Sequence, residues 1–124
     1  MILKVVTSRS VKILNIAGNS IRELLKKGIT QKMVNQFMIE VISYIHYRFP
    51  FEKIVTGGQT GVDLAGARTA CFCRIPCVVT IPKGFLQRSE EGIDTEHILE
   101  EIKAMIVVKR IERFFLIFLT QRRL

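Results

Sequence analysis

Negative charge is what this sequence has least of in proportion: Asp and Glu number 11 against 19 Lys and Arg, a formal net charge of +8. That balance favours anionic partners, whether phosphate esters, nucleic acid or an acidic surface. Proline is scarce as well, with 3 residues, which sets the chain outside the disordered and collagen-like ranges. The cysteines are 3, an odd number crowded at Cys71, Cys73 and Cys77. A disulfide framework needs an even, spaced set, so these thiols read as free and buried in a reducing compartment. With no second Cys pair and only His46 and His97, zinc-ligand spacing is missing and no metal site is expected. No apolar run is long enough to cross a bilayer: Phe114 to Leu119 falls far short of the roughly 20 residues required, and Arg110, Glu112 and Arg113 stop it extending backwards. Lys4, Arg9 and Lys12 punctuate the first apolar residues, so no secretory core is read there. A cytoplasmic protein without a membrane partner is the expectation.

What is present suits a packed core, since 48% of the residues are hydrophobic and 24% charged, and 124 residues make a single domain, 1–124. Two β-leaning runs, Ile2 to Val6 and Val11 to Ala17, flank a turn at Thr7-Ser8-Arg9-Ser10, and the second is the core strand. Ser20 to Glu23 has the form of a capping box opening a short helix that Gly28 closes. A longer helix follows Thr30 and ends before Pro50; Met33, Phe37, Val41 and Ile45 form one ridge and Val34, Met38 and Ile42 its neighbour, predicting a buried stripe. Lys53 to Thr56 and Cys77 to Ile81 read as strands, with a small-residue helix, Leu64 to Ala70, between them. Asp94 or Thr95 is expected to cap another helix carrying Ile98, Leu99, Ile102 and Met105, and Phe114 to Thr120 is the last strand. Being apolar throughout, that strand suits burial on both faces or a surface left uncovered. The alternation predicts an α/β fold with a mostly parallel sheet of about four strands, ligands binding beyond the strands' carboxyl ends.

The segment that carries chemistry is Thr56-Gly57-Gly58-Gln59-Thr60-Gly61-Val62-Asp63, between a predicted strand and a predicted helix. Glycine permits positive φ and close approach of backbone N–H groups to a ligand, and a helix start adds unpaired N–H groups and the positive end of its dipole. An anion cradle is therefore expected, with Gln59 and Thr60 as added donors and Asp63 as a helix cap or a partner for a ribose or pterin donor. The adjacent pair Gly57-Gly58 excludes the dinucleotide G-x-G-x-x-G fingerprint, and no Lys-Ser/Thr follows Gly61 to make a Walker A loop.

Gly57-Gly58-Gln59-Thr60-Gly61-Val62-Asp63, followed by a small-residue helix, a strand and Pro82-Lys83-Gly84, resembles the molybdenum carrier family. That family sits in a wider Rossmann-like group with the lysine-decarboxylase-like cytokinin-activating proteins and the DNA-processing protein that loads recombinase onto single strands. The similarity covers residues 52–102. It implies a Rossmann-like three-layer fold that binds a phosphorylated small molecule. The implied binding residues are Gly57, Gly58, Gln59, Thr60, Gly61, Asp63, Lys83 and Gly84, with Lys83 facing the loop from the neighbouring strand's end; Arg88 has a similar but weaker claim. The chain departs from the family at Cys73-Arg74-Ile75-Pro76, where a non-glycine residue must close the helix. It also stops at Gln121-Arg122-Arg123-Leu124, where related proteins continue into a second glycine-containing turn, so a C-terminal truncation is an expectation.

The leading function is then carrier or sensor of a nucleotide derivative or of the molybdenum cofactor, binding without turnover because a capping Asp63 would have a lowered pKa. Two alternatives stay open. One is a nucleotide-processing, phosphoribohydrolase-like enzyme. The other is a single-stranded nucleic-acid-binding protein using the basic surface, the Arg122-Arg123 tail and Phe49, Phe51 and Phe85, although these phenylalanines flank strands and read as core. A homo-oligomer is also open.

Overall fold

Short β-branched runs alternate with apolar-striped helical segments, and the computed structural model, which describes residues 12–107 and 114–121, folds them in that order. Strand β1, Ile13–Ile16, leads through helices α1, Ile21–Lys26, and α2, Gln31–Arg48, to strand β2, Lys53–Gly57. Helix α3, Val62–Cys73, then connects to β3, Cys77–Pro82. A hairpin of β4, Gln87–Arg88, and β5, Asp94–Thr95, comes next, followed by helix α4, Leu99–Ile106, and β6, Leu116–Gln121. The expected run Ile2 to Val6, its turn, and the Arg122-Arg123 tail lie outside the described residues.

Four strands form one all-parallel sheet in the order β1-β2-β3-β6. With its flanking helices this is the expected α/β architecture, consistent with a Rossmann-like three-layer fold. Cross-strand register aligns Leu14, Ile54, Cys77 and Leu116 in one row and Ile16, Thr56, Val79 and Phe118 in the next. These rows face the core with Ile42, Ile45, Leu64, Ala67, Ile102 and Ile106 from the helices. Helix α3 reaches the sheet because its residues are small: a Cβ on Gly66 would meet the Ile16 side chain at 2.8 Å. The strand order runs without reversal, so the described strands contain no switch-point crevice.

Local signals set most helix ends. Gly28, at φ +76°, closes α1 with Ile29 N donating to Leu24 O and Gly28 N to Leu25 O, a Schellman pair. Thr30 caps α2, its Oγ1 accepting from Met33 N at 3.2 Å. Arg74 closes α3 in the left-handed region, φ 56°, with Ile75 N bonded to Ala70 O at 2.9 Å, the non-glycine closure the sequence predicts.

Three expectations need correction. Ser20 forms no capping box, because Glu23 pairs instead with Lys26 at 3.2 Å. Asp94 and Thr95 do not cap a helix; Asp94 holds Arg88 across the hairpin at 3.1 Å, and α4 starts later, where Glu101 Oε1 accepts from Ile98 N. The stripe of α2 is only partly buried: Val34, Ile42 and Ile45 are in the core, while Met33 and Phe37 are 53% and 61% exposed, since α3 offers a surface narrower than the stripe. Of the two expectations for β6, the uncovered surface is the one found: among the described residues it is an edge strand with Leu116 and Phe118 half-buried against the core and Phe115, Ile117 and Leu119 exposed.

Candidate functional site

Strand β2 ends at Gly57 and α3 begins at Val62, so the glycine motif is the strand-to-helix turn at the carboxyl edge of the sheet. The loop's backbone, however, is largely engaged inside the protein. Gly58 N donates to Thr80 O at 3.2 Å, Gly61 N to Gln31 Oε1 at 2.6 Å, and Val62 N to Asn19 O at 3.1 Å. Gln31 completes a reciprocal pair by donating Nε2 to Gly61 O at 2.9 Å. Gly61 holds φ +94°, and a Cβ there would strike the backbone of Asn19 and Ser20. Among the described residues, the amides of Gln59, Thr60 and Asp63 are the loop donors that no hydrogen bond occupies.

Gln59 and Thr60 point at the next loop. Gln59 Nε2 donates to Leu86 O at 2.9 Å, its Oε1 accepts from Arg88 N at 3.0 Å, and Thr60 Oγ1 donates to Arg88 O at 2.5 Å. Buried Gln87 returns a bond from Nε2 to Gly58 O at 2.6 Å. The two loops are thus stitched together, and the side chains expected to donate to a ligand hold the hairpin.

Asp63 is half-buried on the first turn of α3, where Gly61 and not Asp63 is the cap residue. Its Oδ1 accepts from Gly18 N at 3.2 Å, tying the β1–α1 loop to the motif. Burial pushes its pKa above the ordinary carboxylate value and the Gly18 bond opposes this, so the expected lowering is overturned: desolvation outweighs the one backbone donor. The inference that Asp63 is too weak a base therefore lapses. The buried Thr56 hydroxyl lies 2.8 Å from Ile16 O and 3.0 Å from Asp63 O, fixing the turn from beneath.

Two openings flank the Gln59-Thr60 segment. One, of about 280 Å3, is lined by Ser20, Gln59, Pro82, Leu86, Arg88 and Asp94. The other, of about 410 Å3, lies under the hairpin over an apolar floor of Ile21, Leu64 and Met105, with Thr60, Gln87 and Arg88 on its wall. Arg88 lines both, its Nε held by Asp94. Lys83 is exposed in the turn after β3 and lines neither opening; Gly84, at φ +85°, uses its carbonyl to accept from His97 N. Asp63 also lines neither opening. Gln31, Gln87 and Ser20 carry no sequence signal that marks them for this region, because they meet it only through the fold.

Away from the openings, His46 and the cysteines read as structural. His46 Nδ1 accepts from Phe51 N at 2.9 Å, and burial lowers its pKa, favouring the neutral ring. Phe51 is in the core and Phe85 packs edge-on against Phe118, as their places beside strands predict, while Phe49 is exposed. Cys71, Cys73 and Cys77 are free thiols. Among the described residues no group of three or more His, Cys, Asp or Glu is placed to hold a metal, and no helix is long and apolar enough to cross a membrane. No family model, curated protein or solved structure matches the chain.

Proposed function

We propose that the chain binds the phosphorylated end of a small molecule at the opening beside Gln59, as a carrier or sensor. The observation that carries this reading is the place of that opening. It lies at the carboxyl edge of parallel strands, between the strand-to-helix glycine turn and Arg88, whose guanidinium is positioned by its Nε bond to Asp94. The amides of Gln59 and Thr60 and the net charge of +8 add to the preference for an anion.

A nucleotide derivative and the molybdenum cofactor both present a phosphate ester, and both fit the resemblance in the Gly57 to Asp63 motif. The side chains of this region suit the phosphate end of such a cofactor. Its metal end finds no ready cluster of ligands among the described residues. When bound, the cofactor would supply the metal chemistry; this chain's part is to hold the phosphate at Arg88 and the loop.

Thermal-shift and calorimetric titrations with inorganic phosphate, nucleoside monophosphates and a pterin phosphate test the reading. A phosphorylated ligand should raise the melting temperature by mass action. Arg88→Ala should weaken that ligand by about tenfold or more. Arg74→Ala, remote from the opening at the α3 terminus, should leave it unchanged. If no phosphorylated compound binds, or if Arg88→Ala binds as tightly as the parent, the reading fails.

A further inference from the structure

Among the described residues strand β6 ends the sheet, with one side of its backbone paired to β3. Cys77 N donates to Phe115 O at 2.9 Å, which fixes the phase of the ladder. Phe115, Ile117 and Leu119 turn their N–H and C=O groups toward β3, and Leu116, Phe118 and Thr120 turn theirs away from the sheet. Sheet edges are usually blunted by charge, proline or a bulge. The stretch from Phe114 to Gln121 contains no charged residue and no proline. Its outer face is apolar too, with Phe115, Ile117 and Leu119 exposed by 66%, 41% and 52%.

We propose that β6 pairs antiparallel with β6 of a second copy of this chain, about a two-fold axis at Ile117, joining two sheets into one. A two-fold interface must be self-complementary, and this strand is. In that register Ile117 faces Ile117 of the second copy, Phe115 faces Leu119, and Leu116 faces Phe118. Apolar meets apolar on both faces, and each phenylalanine opposes a smaller side chain. The outward backbone groups of Leu116 meet those of Phe118 in the second copy, and the reverse. The other edge is a poorer partner: β1 has four residues, with Asn15 exposed and the Lys12–Glu52 ion pair at its start. The net charge of +8 opposes association, but the charges lie outside the strand, and salt screens them over about 8 Å at physiological ionic strength. The dimer therefore tightens with salt, whereas phosphate binding weakens.

Sedimentation velocity on the whole chain, over a range of concentration and salt, tests this. The expected result is a monomer–dimer equilibrium that shifts toward dimer as salt is added. Thr120→Pro removes an outward N–H while sparing the bonds to β3, and Ile117→Lys sets two ammonium groups face to face. Each should raise the dissociation constant by about tenfold or more. If Thr120→Pro does not fold, Ile117→Lys and hydrogen exchange decide: the amides of Leu116, Phe118 and Thr120 should gain protection with concentration. A monomer at every concentration, a dimer indifferent to Ile117→Lys, or growth past two copies by β6 meeting β1 would each overturn the proposal.

Discussion

The carboxylate of Asp63 occupies the space that a Cβ on Gly57 would fill. The next neighbour of such a Cβ, Thr80 O at 3.6 Å, is at ordinary contact distance, and Gly57 has no positive φ. Glycine is therefore needed here by Asp63 and not by the backbone. Gly57→Ala should destabilise the parent by about 1 to 3 kcal/mol, as overpacking does. In an Asp63→Ala background the same change should cost almost nothing. Urea denaturation of the four members of this cycle measures the coupling. Equal costs in both backgrounds would show that something other than the carboxylate needs the glycine.

The raised pKa of Asp63 carries a sign. A group that binds its proton more tightly when folded contributes stability below its unfolded pKa and loses it as pH rises through the folded one. Ionised Asp63 therefore costs stability at neutral pH. Asp63→Asn carries no charge and keeps an oxygen for Gly18 N, so it should melt above the parent near neutrality. The gap should close as pH falls toward the ordinary aspartate value of 3.8. Melting curves across that range check this, and a gap that widens in acid contradicts it.

Gln59 holds the hairpin by two bonds to backbone, at Leu86 and Arg88. Gln59→Ala should cost about 1 to 3 kcal/mol, concentrated in that loop. Trypsin should then cut after Arg88 faster in the variant than in the parent while the core strands stay protected. Unchanged cleavage would mean that Thr60 and Gln87 suffice.

Burial pushes the Cys77 thiol up to about 12, with the neighbouring Cys71 adding to the effect, and also raises half-buried Cys73. Thiolate is the reactive form. A maleimide in mildly alkaline buffer should label the native protein slowly, Cys73 first, with Cys71 and Cys77 following only as urea unfolds the chain. Cys77 labelling at the rate of an exposed thiol would refute the buried assignment.

The sequence by itself determined what depends on residues a few positions apart: the Gly28 closure, the non-glycine closure within Cys73-Arg74-Ile75-Pro76, the start of the long helix after Thr30, the strand at Lys53 and the glycine turn at the carboxyl edge. Each follows from φ preference, apolar periodicity or β-branched packing. What lies opposite was left to the tertiary structure. Asp63 meets Gly18 across 45 residues, Gln31 meets Gly61 across 30, and Gln87 meets Gly58 across 29. No local pattern encodes those partners, so the motif's position was legible while the use of its amides and the direction of the Asp63 pKa were not. The same holds for Met33 and Phe37 on α2, and for β6: periodicity marks an apolar face, but burial depends on how much surface a neighbouring element brings to cover it.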